Sequence, residues 1–182
     1  MIKLPTKPDF YGVIPERLAR YCKSRDASSI RATWQTDEKS GLLFVATAYF
    51  LIRATASDAF LERYPVTAVD DYLGRHNRQH WERLMNAPVL APLHVTNALI
   101  EADSTIARRF TCDDGKHIYI DTALLEIFGM DSASDAHYGW TFTSFRTGVP
   151  APDGKHPLRL CKGENNVVGF VMPMCNVTEK VW

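Results

Sequence analysis

No stretch of this 182-residue sequence stays apolar for the roughly 20 residues that a membrane-spanning helix requires. The opening Met1–Leu4 lacks the apolar core of a secretory signal, so a cytoplasmic location is expected. Net charge is missing too. The 21 Lys and Arg balance 21 Asp and Glu, which argues against the overall basicity of many nucleic-acid binders but leaves room for a local basic face. Cysteine is sparse: Cys22, Cys112, Cys161 and Cys175 are scattered, with no Cys-x-x-Cys pair for zinc or redox chemistry, and free thiols are expected. The ten glycines form no run that would cradle a phosphate. No Gly-x-Ser-x-Gly is present, and no cysteine has the His and Asn neighbours of a thiol hydrolase.

What is present is core material. With 46% hydrophobic and 23% charged residues, the chain can bury a sizeable interior, and its length fits one domain over 1–182. Pro15 suits the first position of a helix, where its missing N–H is not needed. Leu18, Tyr21 and Cys22 follow at i, i+3 and i+4, which makes one apolar stripe. Ile30–Thr36 and Leu42–Thr55 read as strands flanking the polar turn Asp37–Gly41. Ala59–Tyr64 and Val69–Met85 read as helices, and Pro88 and Pro92 mark a bend. Strands are expected at Ser104–Cys112 and Lys116–Ile120 around the turn Asp113-Asp114-Gly115. A short helix capped by Asp121 or Thr122 should then run to Phe128 and stop at Gly129. Gly139–Arg146 is a further strand, and Leu158–Lys162 with Val167–Met174 forms a hairpin through Gly163–Asn166. Helix-then-strands thus occurs twice, around a mostly helical insertion at about 57–101. The fold class is α+β.

The second unit carries a resemblance. His117-Ile-Tyr-Ile-Asp-Thr-Ala-Leu-Leu-Glu-Ile-Phe128, Pro157-Leu-Arg-Leu-Cys161 and Val168-Gly-Phe-Val-Met-Pro-Met174 together resemble the closing unit of a bacterial DNA sliding clamp. In that family a strand-to-helix segment ending in Leu-Leu precedes a hairpin that closes on Val-Met-Pro-Met. The N-terminal unit fits more weakly through Pro15–Lys23, Ile30–Gln35 and Leu42–Arg53. Two departures stand out. Family subunits carry three such domains where this chain has room for about one. The family chain also ends almost directly after Met-Pro-Met, whereas Cys175 and Asn176 follow here and the chain runs on to Trp182.

The resemblance implies a non-catalytic protein of DNA replication or metabolism. Its hydrophobic groove for short linear peptides would fall on Val171, Met172, Pro173 and Met174, and Trp182 is placed to fold back over it. The partners would be replication or host proteins and double-stranded DNA, encircled by a homo-oligomer. A clamp needs cations near phosphates, not base readout. Residues 1–31 hold seven Lys and Arg against three Asp and Glu, with Arg17, Arg20, Lys23 and Arg25 on or beside the first helix. Residues 101–135 hold eight acidic side chains and three basic ones, which works against a symmetric DNA-lining surface. In the central segment, Arg75 and Arg78 stand in a basic helix suited to a partner or nucleic acid.

Two other classes remain beside the clamp. One is a monomeric binding protein, encoded by a phage or mobile element, that uses the same scaffold to sequester a host protein. The other is a metal-dependent nuclease built on His76 and His80, one helical turn apart. The metalloprotease pattern is absent because Asn77 stands where Glu is needed. The paired acids Asp70/Asp71 and Asp113/Asp114 suit solvated turns. No metal or cofactor is expected.

Overall fold

A computed structural model describes residue 9 and residues 11–87, 91–102, 104–130, 145–147, 157–162, 166–174 and 177. Four helices and eleven strands form among these residues, and the fold is α+β. Helix α1 (Pro15–Lys23) starts on the proline and buries Leu18, Tyr21 and Cys22, while Arg20 and Lys23 in the last turn suit its carbonyl-rich end. Strands β1 (Arg31–Trp34), β2 (Leu42–Ala46) and β3 (Phe50–Thr55) follow as an antiparallel meander. Later in the chain, α4 (Thr122–Glu126) is followed by β9 (Phe145–Thr147), β10 (Leu158–Lys162) and β11 (Asn166–Val171). The two meanders join through an antiparallel β3–β11 pair. Helix-plus-three-strands therefore occurs twice within one sheet, as the sequence pattern suggested. At this junction a Cβ on Gly169 would sit 2.6 Å from the Ile52 side chain, so only glycine lets the strands close.

Between the two units lie α2 (Asp58–Leu61), β4 (Val66–Thr67), α3 (Tyr72–Asn86), β5 (Ala91–Pro92), β6 (His94–Ala102), β7 (Thr105–Thr111) and β8 (His117–Asp121). The large sheet runs β4-β1-β2-β3-β11-β10-β9-β5, and β6-β7-β8 form a second, three-stranded sheet. The expectation of a mostly helical insertion over 57–101 is corrected here: the segment is helical only as far as Asn86, and 94–102 is strand. The reason is tertiary. Ala, Leu and Glu in this stretch suit a helix, but the facing β7 supplies a ladder from His94↔Thr111 to Ala102↔Thr105. Helix α3 also begins at Tyr72, three residues later than expected, and β11 ends at Val171 before Met172–Met174. The Asp113–Gly115 turn forms as expected, with Gly115 at φ 84° and the Cys112 N–H donating to the Lys116 carbonyl at 2.7 Å. Of the expected strand at Gly139–Arg146, residues 139–144 lie outside the described residues, as do most of the Gly163–Asn166 turn and Trp182.

One face of the large sheet presents Leu43, Val45, Ile52, Leu158, Leu160 and Val168 to the main core. Residues of α1, α2, α4 and the small sheet fill the same core, among them Leu18, Phe60, Leu125 and Phe110. Burying a phenylalanine such as Phe60 contributes about 1.5–3 kcal/mol. α1 is tied to the α4 unit directly: the Ile14 N–H donates to the Ile127 carbonyl at 2.8 Å, and Arg17 donates to the Glu126 carbonyl at 3.1 Å. The Asp9 carboxylate gathers the Tyr11, Val13 and Thr55 N–H groups, while burial raises its pKa.

The opposite face of the sheet presents Phe44, Ala46, Leu51, Cys161, Val167 and Phe170, and α3 packs on it through Trp81. The Trp81 ring lies 5.1 Å from Phe44 and 5.2 Å from Phe170, and the Arg53 guanidinium sits 5.1 Å over it. Gly74, Asn77 and Trp81, spaced i, i+3, i+7, form the buried side of α3.

Candidate functional site: a cationic groove beside the third helix

The α3 face of the sheet is wider than the helix that covers it. Between α3, the β2–β3 turn and the end of β11 a groove of about 410 Å³ stays open, within the range of small-ligand pockets. Its apolar lining includes Ala46, Leu51, Leu84, Phe170 and Met172. His76, His80 and Arg83 stand along its α3 side, at i, i+4 and i+7, and Arg31 enters from β1. Among the described residues no Asp or Glu lines it. His76 and Arg83 are exposed and His80 is half-buried. Burial above all, then the charges of Arg83 and His76, pushes the His80 pKa below its ordinary value. The two imidazole rings sit 6.2 Å apart, edge to face.

This groove unites residues that the sequence placed in separate hypotheses. Met172, from the segment resembling the family's closing strand, lines the same groove as His76 and His80 from the central helix. The other three expected peptide-groove residues go elsewhere. Val171 is buried in the main core, and Pro173 is buried as well. Met174 is half-buried, and its N–H donates to the Tyr119 carbonyl of β8 at 2.8 Å. The Met172 N–H donates to Tyr49 at 2.8 Å, so this short tail links the two sheets and does not extend a strand. Arg31, Leu51 and Phe170 carry no site signal in the sequence, whereas Arg83 stands with Arg75, His76, Arg78 and His80 on the basic helix. The His76-His80-Arg83 spacing was there to be read; the approach of Arg31 and Met172 depends on the fold.

The six expected DNA-contacting cations do not form one surface. α1 and α3 pack on opposite faces of the large sheet. Arg17 is half-buried and donates to the Glu126 carbonyl, Arg75 donates to the Asp70 carbonyl at 2.6 Å, and Arg78 donates to the Gln35 carbonyl at 3.0 Å. Arg25 lies over the Tyr21 ring at 4.9 Å and the Tyr49 ring at 5.5 Å. Arg20 and Lys23 are exposed on α1.

Among the described residues no group of three or more His, Cys, Asp or Glu is placed to hold a metal ion. His76 and His80 have arginines for neighbours in the groove, where a nuclease metal needs carboxylates. The described cysteines, Cys22, Cys112 and Cys161, are free and buried. Burial pushes the Cys22 thiol up to about 12 and also raises that of Cys112, so neither is poised as a nucleophile. Asp114 holds Lys116 at 2.8 Å and Asp113 meets the His94 imidazole at 2.7 Å, so both acids of this pair serve the surface of the small sheet. Among the described residues no helix is long and apolar enough to cross a membrane. Compared with protein-family models, curated proteins and solved structures, the chain matches no family model, no curated protein and no solved structure.

Proposed function

We propose that this chain is a non-catalytic, sliding-clamp-like protein that tethers partners by seating a short linear peptide in the groove beside α3. The observation that carries this reading is the position of Met172. It leaves the closing Val-Met-Pro-Met segment and lines an open groove with an apolar bed of Leu51, Leu84 and Phe170. A flexible thioether beside fixed apolar side chains accommodates varied anchors, and a few buried anchors carry most of the affinity of such contacts. The repeated helix-plus-three-strands order supports the clamp-like part of the reading.

A random peptide library displayed on phage and selected on the purified chain tests this. The expected result is a set of peptides sharing an apolar anchor, competing with one another, and losing about tenfold in affinity on Met172→Ala or Leu84→Ala, the loss of one modest buried contact. Failure to enrich any peptide, or binders indifferent to both substitutions, overturns the reading. Solution mass by light scattering then separates its two forms. A closed oligomer supplying around six clamp-type units favours a ring around double-stranded DNA. A strict monomer favours a binding protein, of the kind phages and mobile elements encode, that sequesters a host protein through the same groove.

A further inference from the structure

We propose that the peptide taken by this groove is acidic: an Asp or Glu side chain next to an apolar anchor, with the carboxylate held by His76, His80, Arg83 and Arg31. This rests on the peptide-binding reading above and names its partner chemistry.

Arg17, Arg75, Arg78 and Arg159 donate to backbone carbonyls, and Arg53 lies between the Tyr11 and Trp81 rings while donating to Asn166. Arg31 and Arg83 have no hydrogen-bond or ion-pair partner among the described residues, although both line a groove with an apolar bed. Four basic side chains therefore line one concave surface, with no carboxylate beside them among the described residues. The field there is positive and partly shielded from water, which strengthens its hold on an anion. The lowered basicity of His80 is a symptom of the same crowding: its proton is opposed by burial and by its own cationic neighbours. A bound carboxylate reverses that balance.

The chemistry favours a peptide over a nucleic acid. The groove is a pocket of about 410 Å³, enough for a few side chains, and the basic residues on the other flank of α3, Arg75 and Arg78, are already spent on carbonyls. Neither phenylalanine ring that lines the groove offers a face for base stacking: Phe50 is buried in the main core. Phe170 is covered by Trp81 and by the Arg159 guanidinium at 5.6 Å. Leu51, Leu84 and Met172 offer an apolar anchor a place to bury.

Binding should also take up a proton. Among the described residues, the charged groups acting on His80 are Arg83 and His76 of α3, and Arg31 of β1 lines the same groove; the β2–β3 turn, Pro157 and Phe170–Met172 contribute none. Protonating His80 beside Arg83 and His76 is unfavourable alone and favourable beside a carboxylate.

The test uses the full chain and three sets of peptides with blocked termini, each with a Leu, Phe or Met anchor flanked by Asp/Glu, by Asn/Gln or by Lys/Arg. Fluorescence polarisation reads their affinities. The acidic set should bind about tenfold or more tighter than the amide set, the size of one charge-assisted hydrogen bond, and the basic set should not bind. That advantage should grow severalfold between about pH 8 and about pH 6, the range in which histidine titrates. Arg83→Gln should reduce it, and His76→Gln/His80→Gln should remove its pH dependence while keeping the anchor contact. Equal binding of the acidic and amide sets overturns this inference and leaves peptide binding intact. No binding by any set overturns both. Displacement of the acidic set by a single-stranded oligonucleotide that binds more tightly overturns it in favour of a nucleic-acid site.

Discussion

The two faces of the large sheet are covered to different degrees. On one, α1, α2, α4 and the small sheet pack into a continuous core with fully buried Phe60, Phe110, Ile120, Leu125 and Phe128. On the other, a single helix lies over a smaller apolar patch, anchored by Trp81, by the buried contact of Asn77 Nδ2 with Thr33 Oγ1 at 3.3 Å, and by hydrogen bonds from Arg78 to the Gln35 carbonyl and from Arg159 to the Leu84 carbonyl. The well-covered face fixes the fold. The partly covered face keeps apolar and cationic side chains in reach of solvent, and the groove is what α3 leaves uncovered.

Matched truncations test that difference most strongly. Phe110→Ala should cost about 3–5 kcal/mol and lower the whole unfolding transition, because the cavity opens where both sheets meet. Trp81→Ala should cost about 3 kcal/mol and act locally: amide exchange in α3 should accelerate while β2 and β3 stay protected. If both variants accelerate exchange everywhere alike, the two faces are one cooperative unit and the contrast fails.

How much of this was legible in the sequence follows the same division. Elements set by local chemistry were readable: Pro15 with the Leu18-Tyr21-Cys22 stripe gave α1, and Asp113-Asp114-Gly115 gave the turn between β7 and β8. β6 was not, because Ala98, Leu99, Glu101 and Ala102 offset the strand preference of Val95, Thr96 and Ile100, and pairing with β7 decides the outcome. The groove was half legible. His76, His80 and Arg83 share a flank by helical period, but Arg31 and Met172 join them only once β1 and β11 lie under α3. The peptide residues expected at 171–174 were placed by motif alone, and motif does not tell that Val171 faces inward while Met172 faces the groove.

Gly74→Ala probes the seat of α3 more finely. A Cβ there would stand 2.3 Å from the Ala68 carbonyl oxygen and 2.5 Å from that of Val69. Alanine improves helix propensity, so an isolated helix would gain; in the protein the clash should dominate and cost about 1–3 kcal/mol. The loss should show in α3 exchange and in peptide affinity, with little change in near-UV signals from the main core. A stabilised variant would mean that α3 is loosely seated. Asn77→Ala should follow at about 1–2 kcal/mol, since it leaves the fully buried Thr33 hydroxyl without its partner. Adding Thr33→Val should recover part of that loss, because a pair of apolar groups leaves no orphaned acceptor.

The smallest expected effect is electrostatic and belongs to the groove side alone. His80 has a folded-state pKa below its ordinary value, with burial the first cause and the cations Arg83 and His76 next. The native chain therefore prefers neutral His80, whereas the unfolded chain takes up the proton near its ordinary value of about 6.5. Stability from this group is complete above that value. It declines as pH falls from there toward the lowered native pKa, because the unfolded state binds more protons in that window, and it levels off below. The slope should be shallow, since His80 is only half-buried, and it is best read as the difference between wild type and His80→Gln in denaturant midpoint against pH, where the other titrating groups cancel. With an acidic peptide in saturating amount the sign should invert, and falling pH through the same window should then stabilise the complex. A difference curve that is flat in the free chain removes the crowded-cation account of His80. A curve that keeps its sign when peptide is bound places the carboxylate away from this histidine.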